Sequence, residues 1–416
     1  MTAPPTSSRR ETALLLAAIV LVSLNLRSAL TVIGPLTRDL RHGDGLSSAA
    51  VGLLAAAPLL AFGLISPLGP RLAARFGIER SLVGCMLVLC ASLALRPLPS
   101  VPLLFAGTLA AGAGIAVANV LLPALVKRRF GARATLVTGV YSVALGVGAA
   151  AAAGLAVPSE AWFGGSFRDA LALWAPVALV AAIAWLPLLR GASADAGRDD
   201  AHVRVSLWGD RLAWCVTAYM ALLAVQFYSM AAWLPEIYRH EGMSKGGAGA
   251  LLSLALIVGI PFGFVVGWLA GRLEDQRPIA LGGALCVLSG WVGVLAAPRA
   301  APGLWATLLG VGFGVGFTLV LALFVLRAGD APHAVALSGM AQSLGYTLAA
   351  VGPIAAGALH DATGGWRVPL VVLIAIAVAD LLLGLAASRR GLVRGRDVEH
   401  PPAASEGVAA GAGAAR

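Results

Sequence analysis

Few side chains in this 416-residue chain could do chemistry, and most of them stand alone in apolar surroundings. Arg27 is the most informative. It falls near the middle of an apolar run from about 13 to 36, too deep to snorkel to either surface. An arginine at such depth costs about 2.5–3.5 kcal/mol to insert, so its retention points to a task. Its planar fork suits bidentate capture of an anion or a polarised oxygen. Ser23, Arg27 and Thr31 share one helix face at i, i+4 spacing, as a polar cavity wall would require. The alternative is a structural ion pair, for which Asp380 is the one carboxylate clearly inside an apolar run. Asn119 and Gln226 each donate and accept, so they suit a neutral or weakly anionic ligand, or else an interhelical hydrogen bond worth about 0.6 kcal/mol. Ser338, Gln342 and Tyr346 recur at i, i+4, i+8 as a further polar stripe, and Tyr141, with Ser142 beside it, is its rough counterpart in the first half.

Other reactive residue types form no site. The six histidines, His42, His202, His240, His333, His360 and His400, lie in loops, at run ends or in the tail. Cys85, Cys90, Cys215 and Cys286 sit inside apolar runs without a CxxC pair and read as packing residues. Gly310, Gly312, Gly314 and Gly316 lack the Lys-Ser/Thr of a phosphate loop and read as a close-packing or bending device. Trp233, near the outer end of its run, reads as an interfacial anchor. No clustered acid, base, nucleophile or metal ligands appear, so neither an enzyme, a metal site nor a cofactor is expected.

The elements that must position these residues follow from composition. Hydrophobic residues make up 59% of the chain and charged ones 12%, with a mean hydropathy of +0.87. A water-soluble chain carries roughly 25% charge, so this is an all-α polytopic membrane protein with lipid as its solvent. Twelve runs are long enough to span, near 13–36, 48–70, 81–95, 102–126, 135–157, 169–189, 211–234, 247–270, 278–297, 303–326, 334–358 and 368–388. Arg9-Arg10 before the first run resembles an export signal, but the run continues past Asn25 to Gly34-Pro35 without a clear cleavage site. With alternate loops assigned to one side, 21 Lys and Arg fall with the termini and 8 opposite, which places both termini in the cytoplasm. The net charge of +10 is thereby spent on orientation, and no nucleic-acid partner is expected.

The two halves repeat. An offset of 197 maps Gly45-Leu46-Ser47 onto Gly242-Met243-Ser244, Leu72-Ala73 onto Leu269-Ala270, and Arg75 onto Arg272. An offset of 200 maps Gly112 and Gly114 onto Gly312 and Gly314, and Lys127 onto Arg327. The reading is a first six-helix bundle over 1–189, a cytoplasmic linker over 190–210, a second bundle over 211–388, and a disordered cytoplasmic tail over 389–416.

Pro70-Arg71-Leu72-Ala73-Ala74-Arg75-Phe76-Gly77 resembles the loop signature of the major facilitator superfamily, and Gly267-Trp268-Leu269-Ala270-Gly271-Arg272 resembles its second copy. Ala74 and Gly271 stand where the family has an acidic residue. The resemblance implies a twelve-helix carrier with a solute site between two rocking bundles. It also implies gating loops that hold Arg71, Arg75 and Arg272, and a twelfth helix outside the cavity, so that Asp380 is structural or, failing that, a coupling carboxylate. Asn25 to Ala29, Asn119 to Lys127, Thr138 to Ser142 and Trp233-Leu234-Pro235 resemble the cyanate-porter branch, which includes nitroimidazole transporters. On that resemblance the expected function is secondary transport of a small anionic or polar solute, cyanate-like, across a bacterial inner membrane by a monomer. Arg27 would anchor the solute, with Asn119, Tyr141, Gln226, Gln342 and Tyr346 around it. Export of nitroimidazole-like or other drug-like compounds is the alternative. A membrane sensor or scaffold is the non-transport one, although neither linker nor tail supplies a domain for it.

Overall fold

The computed structural model describes residues 9–66, 68–130, 134–191 and 204–398. The first half holds α1 (Arg9–Thr31), α2 (Thr37–Gly43), α3 (Ser48–Ile65), α4 (Leu68–Phe76), α5 (Ile78–Ala94), α6 (Val101–Phe130), α7 (Ala134–Trp162), α8 (Phe167–Ala172) and α9 (Ala175–Trp185). The second half holds α10 (Arg211–His240), α11 (Lys245–Ala270), α12 (Arg277–Ala296), α13 (Pro302–Leu326), α14 (Ala331–Ala349), α15 (Val351–Thr363) and α16 (Arg367–Ala387). Among the described residues, eleven helical stretches are long and apolar enough to cross a membrane, and α5, at 17 residues, brings the number to twelve. The first stretch continues from α1 through a 3-10 turn, Gly34–Leu36, to Gly43, which leaves Arg27 at its middle. Helix α1 starts and α16 ends on one face, the terminal side; the opposite face is the distal side.

The duplication is visible in how the helices begin. Ser47 caps α3 by accepting the Ala50 N–H at 3.1 Å, and Ser244, 197 residues on, caps α11 by accepting the Gly247 N–H at 3.2 Å. The turn before each needs a left-handed residue, which Gly45 (φ 66°) and Gly242 (φ 87°) supply. The glycines of α13 act in close packing: a Cβ on Gly310 or Gly314 would collide with the α11 backbone at Ala255 or Gly259.

Ion pairs between the halves, among described residues, all lie on the distal side. Arg41 meets Glu236 at 3.9 Å, and Asp39 meets Lys245 at 2.8 Å and Arg239 at 3.8 Å, while Lys245 also pairs with Glu160. Asp361 at the end of α15 accepts the Ser48 and Ala49 N–H groups at the start of α3, at 3.2 and 2.9 Å. At mid-depth α7 and α11 touch, with the Ser253 hydroxyl donating to the Ala150 carbonyl at 2.8 Å. The terminal ends carry no such ion pair between described residues, although α7 and α11 also approach there, at Gly139 and Phe264.

The tail departs from its expectation. Strand β1 (Arg204–Ser206) pairs antiparallel with β2 (Arg396–Val398), with Val205 opposite Asp397. The Val393 N–H donates to the Arg327 carbonyl at 2.8 Å and the Gly395 N–H to His333 Nε2 at 3.3 Å. Residues 389–398 are therefore folded against the second half, because their backbone donors find acceptors at helix ends. The rest of the tail from 399, and linker residues 192–203, lie outside the described residues.

Candidate functional site

Arg27 is half-buried where α1 faces α10, and its guanidinium lies over the Phe227 ring at 5.6 Å. No carboxylate of a described residue lies within 4.0 Å of it. Tyr228 of α10 and Tyr346 of α14 lie within electrostatic reach of it. Those rings belong to a cluster that crosses the seam. Tyr346 stands edge-on to Phe62 of α3 at 5.4 Å and to Tyr228 at 6.4 Å. Phe227 is edge-on to Tyr228, Phe313 and Phe317 at 5.1, 5.6 and 5.2 Å. Tyr141 of α7 lies within electrostatic reach of Tyr346. A cation thus sits among aromatic walls from four spans, with Tyr141, Gln342 and Tyr346 each partly open to solvent. Such a setting favours a planar, electron-rich or anionic guest: rings stack on rings, and the fork meets its oxygens.

Of the residues expected to line the site, Arg27, Tyr141 and Tyr346 come together. Gln342 lies one turn from Tyr346, and its Nε2 donates to Ser338 Oγ at 2.7 Å, which leaves its carbonyl free. Asn119 is exposed on the side of α6 that meets α3, seven residues from Gly112, which packs on Pro58. It has no hydrogen bond to a described residue. Gln226 departs from its expectation. It is fully buried, two residues and so about 200° round α10 from Tyr228; its Nε2 donates to the Leu222 carbonyl at 3.3 Å, and its side chain neighbours Asp380 of α16. It packs in the interior between α10 and α16 and away from the Tyr228 hydroxyl. Asp380, 2% exposed, shares that contact and does not reach the cation. Ser23 and Thr31 also turn away from the cleft, donating to the carbonyls of Ile19 at 2.7 Å and Ala149 at 2.9 Å. Trp233 is buried and donates to the Pro353 carbonyl at 2.9 Å, so it packs between helices where an interfacial anchor was expected.

The Major Facilitator Superfamily sequence profile matches residues 15–350. The chain belongs to the major facilitator superfamily. It is 39% identical to the 2-nitroimidazole transporter of Escherichia coli (strain K12) over 96% of its own length and 100% of that protein. It is 32% identical to the cyanate transport protein CynX of the same organism, over 85% and 91% of the two chains. A crystal structure of a bacterial homolog to the human lysosomal transporter Spinster, 15% identical, superposes with a TM-score of 0.75 over 92% of this chain and 98% of that one. The protein is a membrane transporter of this superfamily, in the branch of the nitroimidazole and cyanate carriers.

The superfamily's loop arginines find aromatic partners here. Arg71 is exposed, Arg75 lies over Phe76 at 5.2 Å, and Arg272 lies over Trp268 at 3.9 Å. The acid that Ala74 lacks is supplied a few residues on. Glu79, 1% exposed at the start of α5, takes Arg128 at 2.5 Å and Arg129 at 2.8 Å from the end of α6. At the repeat position 197 residues later, Gln276 Oε1 accepts from Arg327 at 2.5 Å. Each half fastens its own terminal end in this way.

Reading polarity alone missed Phe62, Phe227 and Tyr228. Nothing in the apolar runs distinguishes these aromatic side chains from core packing, and only the arrangement of helices around Arg27 singles them out.

Proposed function

We propose that this chain is a secondary active transporter that carries a small planar solute, anionic or strongly polar, by alternating access. Arg27 is the anchor, and Phe62, Tyr141, Phe227, Tyr228 and Tyr346 are the walls. The observation that carries this reading is a guanidinium over the Phe227 ring in a partly open setting, with no carboxylate of a described residue within 4.0 Å to neutralise it. A ring-sized heterocycle with a polar oxyanion or nitro group fits those walls better than a three-atom anion. The 2-nitroimidazole relative therefore offers the first substrate class to test and the cyanate relative the second. With the basic side cytoplasmic, the cleft faces inward, and the distal ion pairs form the closed outer gate of an inner-membrane protein. None of the described groups gathered around Arg27 is a carboxylate, so coupling in this reading runs through a group outside that cluster.

Proteoliposome transport of 2-nitroimidazole and of cyanate, with and without a pH gradient, tests this in wild type, Arg27→Ala and Arg27→Lys. A bond to a charged group is worth about 1.5–3 kcal/mol, so Arg27→Ala is expected to lose about 10- to 100-fold in apparent affinity, with Lys intermediate. Full rescue by Lys rules out recognition by the fork. Unchanged transport in both variants makes Arg27 structural.

A further inference from the structure

On the terminal side of the second half, a cavity of about 890 Å³ lies where the start of α10 meets the residues that follow α16. Four arginines line it, Arg211, Arg389, Arg390 and Arg394, against one carboxylate, Asp210. That carboxylate is already engaged: Oδ1 accepts the Ala213 N–H and Oδ2 the Arg394 N–H, each at 2.8 Å. Arg390 pairs with Glu274 at 2.6 Å. Arg211, Arg389 and Arg394 have no carboxylate of a described residue within 4.0 Å. Cations collected around one cavity repel one another, and an anion with several oxygens relieves that repulsion through charge-assisted bonds. The arginines sit on a fixed floor, because the β1–β2 pair and the bonds of Val393 and Gly395 anchor the segment that carries Arg394.

The surroundings indicate which anion. Trp208 lines the same cavity and stands edge-on to Trp214 at 5.7 Å, while Trp214 Nε1–H donates to the Trp208 carbonyl at 2.9 Å. Both indoles are exposed. Trp214, Ala218 and Leu222 form an incompletely buried stripe on α10, with Trp214 about 140° round the helix from Phe227 and so away from the solute cleft. Val378 and Leu382 of the neighbouring α16 are exposed as well. Indoles at the end of a span mark headgroup depth, with an apolar flank for acyl chains below them.

We propose that this cavity binds the phosphodiester headgroup of an anionic phospholipid of the leaflet on the terminal side, held by Arg211, Arg389 and Arg394 with Trp208 at its rim. The headgroup would bridge the last residues of the linker to the tail. The purified protein in neutral detergent is mixed with phosphatidylglycerol, with phosphatidylcholine or with inorganic phosphate. Melting temperature and bound lipid by native mass spectrometry are then read. Phosphatidylglycerol is expected to bind and to raise the melting temperature, with the other two doing neither. In Arg211→Gln/Arg394→Gln the enrichment of phosphatidylglycerol over phosphatidylcholine is expected to fall by about fivefold per guanidinium removed. Equal binding of the two lipids by wild type overturns the proposal without recourse to any variant. Stabilisation by phosphate alone overturns the lipid in favour of a soluble anion. Undiminished enrichment in the folded variant overturns the assignment to these arginines.

Discussion

The Phe227 ring contributes to the site in two ways, as the surface beneath the Arg27 guanidinium and as a wall of the cleft. Phe227→Leu keeps apolar volume but removes the ring face. Because a cation–π contact is worth about 1 kcal/mol, apparent solute affinity is expected to fall about fivefold in proteoliposome transport, with little change in melting temperature. Asp380 tests the opposite case, a polar residue that serves packing. Asp380→Asn keeps a polar side chain of the same size beside Gln226 and is expected to leave both transport and its pH profile unchanged. Asp380→Ala removes the buried polar neighbour of Gln226 and leaves a gap between α10 and α16, costs about 1–3 kcal/mol, and is expected to lower the melting temperature. A pH profile altered by Asp380→Asn would make this carboxylate part of coupling. These two residues also show how far the site could be read beforehand. A buried arginine is conspicuous because of its insertion cost, so Arg27 stood out. Gln226 and Tyr228 are two positions apart on one helix, and only the neighbouring helices determine that the glutamine meets α16 while the tyrosine meets the cleft.

At the scale of elements, the twelve spans were legible because hydrocarbon demands long apolar helices, and the observed ends lie within a few residues of the expected ones over most of the chain. The β1–β2 clasp was not legible: its strands are three residues each and lie 190 positions apart, with no periodicity to announce them. Partners of terminal-side arginines were hidden for a similar reason. The loop acid is absent from Ala74 and Gly271, and its substitute stands inside the next helix. Gln276 already does for the second half what Glu79 does for the first, accepting an arginine without carrying charge. Glu79→Gln is therefore expected to hold one of its two arginines and to lower the melting temperature by less than half as much as Glu79→Ala. Equal losses in the two variants would mean that charge, and not the acceptor oxygen, fastens α6 to α5.

At the scale of the whole molecule, the asymmetry between the two sides is the decisive feature. The distal side is joined by ion pairs and by Asp361 on the start of α3, and the terminal side has no such links between described residues. A carrier that rocks about its centre must break the first set to expose Arg27 from the other face. Lys245 holds two carboxylates of the first half, Asp39 and Glu160. Partly exposed pairs are worth up to about 1 kcal/mol each, so Lys245→Ala is expected to raise the distal-open population several-fold, read as a longer distance between spin labels on the distal ends of α3 and α15. Locking the same gate gives the complementary result. With the four native cysteines replaced, Ala49→Cys/Asp361→Cys joined by a short thiol cross-linker is expected to abolish transport until the linker is cleaved. Throughout, Tyr141→Cys in the same background should stay reactive to a polar thiol reagent added from the terminal side. Transport that persists through the cross-link would mean that the distal contacts never open, and the solute path would then lie outside the cleft that holds Arg27.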